Sequence, residues 1–208
     1  VLIGGRDEDR LARALDELAP GVDGRAIDAT DASSIRGFLS EAGTIDHLIF
    51  TAGGAALGPL VEASMTDLLA FFDGKFWGGV RLVMLALAED RLSQDGSIVL
   101  FSGASARNGS PGFAAGAALN AAVESLVRSL AVELAPIRVN GVSPGLIDTP
   151  VWDELTDVTR EMVTEGARAL PVPRLGRPKE VAQAVALLLE NRFMTGTVLL
   201  VDGGFVSR

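Results

Sequence analysis

The sequence contains no cysteine and no tyrosine, only one histidine, and aromatic residues fill just 5% of its 208 positions. Without cysteine there can be no disulfide and no thiolate metal site, which fits a cytoplasmic protein. Without tyrosine no phenol is available as an acid, however the chain folds. No run of 18 apolar residues is free of charge, so no membrane span is predicted. Positive charge is also scarce. Lysine and arginine total 18 against 27 acids, a net charge of −9. That balance leaves no basic face for nucleic acid and predicts a solvated acidic surface. The first residues lack the charged-then-apolar layout of a signal peptide, and the chain starts at Val1 rather than Met.

What is present suits one large domain, since 48% of the residues are apolar. Short apolar runs alternate with helical patterns. "VLIGG" (1–5), "GRAIDAT" (24–30), "IDHLIFTAGG" (45–54), "GSIVLFSG" (96–103), "IRVNGVSPG" (137–145) and "GTVLLVDGG" (196–204) read as strands. Between them, helices are predicted over 7–19 with Asp7 as N-cap, 31–43, 64–92 as one long helix, 113–135 and 178–190. Apolar strands alternating with helices predict an α/β fold, a doubly wound parallel sheet of Rossmann type, as a single domain over 1–208. Ligands of such sheets bind beyond the carboxyl ends of the strands. Here those ends are rich in Gly, Ser, Thr and Asp: Gly4–Arg6, Asp28–Ala29, Thr51–Gly54, Ser102–Ser105 and Ser143–Thr149.

"VLIGGRDEDRLARAL", "IDAT", "IDHLIFTAGG", "GSIVLFSG", "LAVELAPIRVNGVSPGLIDTP", "GRPKEVAQAVALLL" and "LLVDGGF" follow one another in order. Their order and spacing resemble the short-chain dehydrogenase/reductase family almost end to end. The resemblance implies a nicotinamide dinucleotide cofactor and a small-molecule substrate. It also implies assembly as a homodimer or homotetramer. Arg6 falls where the second strand meets the adenosine ribose, and a guanidinium there suits a 2′-phosphate, so NADP(H) is expected over NAD(H). Asp28 and Ala29 match the adenine contact, although Asp28 could equally cap its own turn. Ala52 and Gly53 match a small segment beside the cofactor. Pro144, Gly145, Ile147 and Thr149 match the loop that holds the nicotinamide amide.

The resemblance also shows what has changed. The family uses a Tyr, a Lys four residues later on the same helical face, a Ser at the preceding strand end and an Asn on the earlier helix. Those positions fall at Gly116, Asn120, Gly103 (with Ser102 adjacent) and near Phe76, with Lys75 beside it. The usual Tyr/Lys mechanism is therefore excluded, and Ser102 and Asn120 remain as weak catalytic candidates. Restoring Gly116→Tyr, Asn120→Lys and Gly103→Ser is expected to recover activity. The family's first strand and glycine-rich turn have no counterpart here. The expectation is a chain lacking its first strand and first helix, with strands on either side of the missing one cut off from each other.

Other residues divide between two readings. His47 is expected at the surface, away from the crevice. Phe71, Phe72, Phe76 and Trp77 suggest a subunit-contact stripe. Trp152 is either a substrate contact or loop packing, and Arg107, Asn108 and Ser110 either meet substrate or are solvated. Three functions stay open: an atypical NADP(H)-dependent oxidoreductase of small carbonyl or alcohol compounds, a non-redox dehydratase, isomerase or cyclase, and an inactive binding or scaffold protein.

Overall fold

A computed structural model describes residues 1–54, 58–109, 111–152 and 157–207; Ser110 lies outside them. The strands are β1 (Leu2–Gly5), β2 (Asp23–Ala26), β3 (Ile45–Phe50), β4 (Leu92–Phe101), β5 (Arg138–Pro144) and β6 (Val198–Val201). The helices are α1 (Glu8–Glu17), α2 (Ala32–Ala42), α3 (Met65–Phe72), α4 (Gly78–Ala88), α5 (Ala114–Glu133), α6 (Asp157–Arg168) and α7 (Pro178–Glu190). Every strand pair is parallel. The result is a single domain, a parallel sheet flanked by helices, with the Rossmann-like layering that the sequence predicts.

The helix starts follow from local chemistry. Asp7 accepts the Arg10 amide and Asp31 accepts the amides of Ser33 and Ser34, so each caps the free N–H groups of a first turn. At α7, Pro178 stands in the first turn and the Glu180 carboxylate reaches back to the Arg177 amide at 2.7 Å. The far end of α7 is held by Arg138, whose guanidinium donates to the carbonyls of Leu188, Leu189 and Asn191.

The core alternates with the pleat. Ile98, Leu100 and Val139 face α4 and α5 on one side, while Val99 and Val142 face α7 on the other. On α5 the buried positions are Gly116, Leu119, Asn120, Val123, Glu124, Val127 and Ala131, a continuous helical stripe. That stripe lays Gly116 and Asn120 against the strand ends.

The strand arrangement follows the expected gap in the sheet, while the structure departs from the sequence reading in two places, the long helix and the start of β4. The strands form two sheets, β1–β2 and β3–β4–β5–β6, and no described strand bridges β1 and β3. They are joined instead by packing: Ile35 and Leu39 of α2 enter the same core cluster as Leu82 and Val83 of α4. Consequently β1 is only partly buried, and Ile49 of β3 stays 41% exposed. The predicted long helix over 64–92 is broken by a π turn at Asp73–Trp77, between α3 and α4. Its last residue, Leu92, instead opens β4, which begins four residues earlier than expected and pairs across a register shift between Ile45 and His47.

Candidate functional site

A cleft opens at the carboxyl ends of β3, β4 and β5. Gly54, Ser102, Gly103, Pro144 and Gly145 come from the strand ends, and Lys75, Gly116 and Asn120 come from the helices. Phe71, Phe113, Trp152 and Phe205 supply apolar walls. Of the candidates read from the sequence, Ser102, Gly103, Gly116, Asn120, Pro144 and Gly145 are brought together here.

The residue that sequence reasoning passed over is Lys75. Of the two neighbours that fall near the family's Asn position, the structure puts Lys75 into the cleft and packs Phe76 against the core. A π turn holds one more residue than an α turn, so counting at helical period slips by one across it. The turn is held by Arg81, which pairs with the Asp73 carboxylate and reaches the Asp73 and Ala29 carbonyls. The stem of Lys75 runs over Gly53, where φ is 142° and an added Cβ would lie 2.7 Å from Lys75 Cδ. Gly53 is therefore required twice, by its backbone and by the space it leaves.

The Lys75 ammonium donates to the Ser102 carbonyl at 3.1 Å and to Asn120 Oδ1 at 2.7 Å. No carboxylate is among the described lining residues. Burial without an anionic partner pushes its amine down from 10.5 to about 8. Asn120 Nδ2 donates in turn to Ser105 Oγ at 3.0 Å. Ser105, on the 3₁₀ turn Ala104–Arg107 after β4, also lines the cleft and was likewise missed. Its only signal in the sequence is a hydroxyl two residues beyond Gly103.

Ser102 is occupied differently from its expected part. Its hydroxyl donates to the Asn120 carbonyl at 3.0 Å, inside the protein, while its own carbonyl faces Lys75. Gly103 is fixed by Asn120, because a Cβ there would lie 2.6 Å from Nδ2. Gly103→Ser by itself would therefore meet the Asn120 amide; beside Asn120→Lys, the change with which it is expected to help, that amide is gone. Asn120→Lys would likewise bring a second ammonium against Lys75.

The remaining cofactor candidates lie along the same strand ends. Arg6 is exposed after β1. The Asp28 carboxylate accepts both the amide and the hydroxyl of Thr30; these bonds, and then the Arg6 charge, hold it below the usual range. Asp28 therefore does cap its own turn. Ala29 packs tightly on Gly78 of α4, and Ala52 and Gly53 expose their backbone after β3. Gly145 admits no side chain, because a Cβ would sit 2.7 Å from Asp202 Cα. The Ile147 carbonyl accepts the Trp152 indole N–H, and Thr149 lines an adjoining recess with Asp148. His47 is exposed and bonds Ser97 at 2.9 Å, away from the cleft. Arg107 pairs with buried Glu124, and Asn108 donates to the Phe205 carbonyl, so neither is simply solvated.

Known proteins resemble this chain in sequence and fold. A family model described as enoyl-(acyl carrier protein) reductase matches residues 1–206. Carbonyl reductase family member 4 of Danio rerio is 38% identical over 165 residues, 78% of this chain and 66% of that protein. The 3-oxoacyl-[acyl-carrier-protein] reductase FabG of Thermotoga maritima is 32% identical over 206 residues, 95% of this chain and 82% of that protein. Among solved structures, a small-chain dehydrogenase in complex with NADPH superposes with a TM-score of 0.86 at 34% identity, covering 100% of this chain and 98% of that one. A gluconate 5-dehydrogenase from Burkholderia cenocepacia, in complex with NADP and tartrate, gives 0.85 at 25% identity, covering 100% of this chain and 85% of that one. Sequence order, the parallel sheet and the cleft at its carboxyl ends thus converge on one lineage, and the chain belongs to the short-chain dehydrogenase/reductase family.

Proposed function

We propose that the protein is an atypical NADP(H)-dependent oxidoreductase that interconverts small carbonyl and alcohol compounds. The observation that carries this reading is the Lys75 ammonium, which restores a cation to a cleft from which the family's Tyr and Lys are absent.

The residues present fit a nicotinamide dinucleotide. Gly54, Pro144 and Gly145 line the cleft, where a ring can lie close to the main chain. Arg6 stands exposed beside the Asp28 turn, where a guanidinium can grip a 2′-phosphate with two parallel bonds. The bound cofactor would supply a hydride. The protein's part is to hold a substrate oxygen, provide its proton and keep water out with the aromatic walls. The NADPH and NADP complexes of similar proteins support the same choice of cofactor.

Arg6 provides the test. NADPH should bind more tightly than NADH by calorimetry. Arg6→Ala should weaken NADPH by about 1.5–3 kcal/mol and leave NADH nearly unchanged. Equal losses for the two cofactors would remove Arg6 from the phosphate site.

The absence of tyrosine favours one rival, an inactive binding protein on the same fold. It is separated by turnover: a protein that binds NADPH but reduces no aldehyde or ketone would be of that kind.

A further inference from the structure

Lys75 and Ser105 reach the cleft from different elements, the π turn and the 3₁₀ turn after β4, and a single side chain bonds both. An ammonium can only donate, so Asn120 must offer it Oδ1. The other end of the amide is then Nδ2, a donor, so Ser105 Oγ accepts. Ser105 therefore keeps its own hydroxyl proton to give. Lys75 has three N–H groups, and the Ser102 carbonyl and Asn120 take two. The third N–H of Lys75 and the O–H of Ser105 have no partner among the described residues, and both groups line the same cleft.

We propose that these two donors form an oxygen-binding site for the carbonyl of an aldehyde or ketone attached to a flat apolar group, with Lys75 as proton donor, Ser105 as second hydrogen-bond donor and Asn120 as the residue that positions both. This rests on the oxidoreductase reading above. Phe71, Phe113 and Trp152 line the space around the site and suit a flat apolar substituent. In the reducing direction the carbonyl carbon accepts hydride from a reduced nicotinamide, and the C–O π pair moves to oxygen. The oxygen takes a proton from Lys75 Nζ, leaving a neutral amine that regains its proton from water. Ser105 donates to the same oxygen throughout and loses nothing. The alcohol is oxidised by the reverse steps, with neutral Lys75 as base.

Lys75 suits this work because its amine is held at about 8, near the pH at which it must both give and regain a proton. The other charged groups around it are already paired. Asp73, two residues away, is held by Arg81, and Glu124, one turn beyond Asn120, is held by Arg107. Lys75 is the only charged side chain among the described lining residues.

Benzoate, a carboxylate on a flat apolar ring, probes the site without cofactor or turnover. By calorimetry at pH 7 it should bind the wild type. Its affinity should fall about tenfold or more in Lys75→Met and by a smaller factor in Ser105→Ala. It should also weaken in the wild type from pH 7 to 9.5, as the amine loses its charge, and show no such fall in Lys75→Met. If Lys75→Met does not fold, Lys75→Gln gives the same comparison. With benzaldehyde and NADPH, Lys75→Met should lower kcat/KM by about 10²–10⁴-fold while NADPH still binds. Failure of benzoate to bind the wild type, or binding unchanged by Lys75→Met, overturns the site. The chain has only two lysines, Lys75 and Lys179, so an imine trapped by borohydride is readily assigned by mass. Trapping at Lys75 would overturn the proton-donor role. Failure of NADPH to bind would instead overturn the oxidoreductase reading, and benzoate bound as expected would still support the oxygen site.

Discussion

Lys75 links the chemistry of the cleft to the stability of the fold. Its amine is held at about 8 in the folded protein, against 10.5 for a solvated lysine. Between those values the unfolded chain binds more protons than the folded one, so this group makes stability rise with pH. Below pH 8 both forms are protonated and the burial cost is constant. A difference of this size corresponds to roughly 3 kcal/mol. Denaturant unfolding should therefore show the wild type gaining stability relative to Lys75→Met between pH 8 and 10.5, and a parallel pair of curves below 8. Equal pH dependence of the two proteins would mean that the folded amine is not depressed. The sequence showed the emptied positions 103, 116 and 120 because a family pattern predicts what should fill them. It did not show the replacement. Lys75 lies on a π turn that no residue type announces, and Ser105 becomes meaningful only when Asn120 is seen to bond it.

At the scale of elements, legibility followed local signals. The bounds of α7 were readable because Pro178 and Glu180 mark its start and an apolar stripe runs to its end. The stripe of α5 was equally plain. The break between α3 and α4 was not, since an apolar face continues through it with no proline to stop it. The start of β4 was missed because Leu92 follows directly on a helical pattern, and its pairing with Ile45 is a long-range fact. The two sheets differ in support. The β1–β2 pair has no fully buried residue, whereas β4 and β5 are covered on both faces. Amide exchange followed by mass spectrometry should show β1 and β2 opening first, with protection about two orders of magnitude below that of β4 and β5. Uniform protection across the two sheets would show that α2 alone couples them into one cooperative unit.

The whole molecule presents an acidic surface that carries several large apolar side chains. Among the described residues no helix is long and apolar enough to cross a membrane. Leu69 of α3, Trp77 of the π turn, Met84 of α4 and Val132 of α5 are each more than half exposed. Exposed apolar side chains on consecutive packed helices mark a surface suited to association. We infer a homodimer or homotetramer built across these helices with two-fold symmetry. Light scattering at tens of micromolar should give at least twice the 21.6 kDa of one chain. Met84→Lys and Val132→Lys together should shift the mass toward that value. A monomeric mass for the wild type would count against the assembly.

The space at Gly103, where a Cβ would lie 2.6 Å from the Asn120 amide nitrogen, also bears on which mutational routes are open to this cleft. A serine at 103 meets Asn120 while Asn120 is in place. A lysine at 120 meets Lys75 while Lys75 is in place. Removing Lys75 first leaves the cleft with no cation at all. The single steps at 103 and 120 therefore each meet a neighbour that a combined change would remove. Positions 75, 103 and 120 are epistatically coupled: what one of them tolerates depends on what stands at the other two.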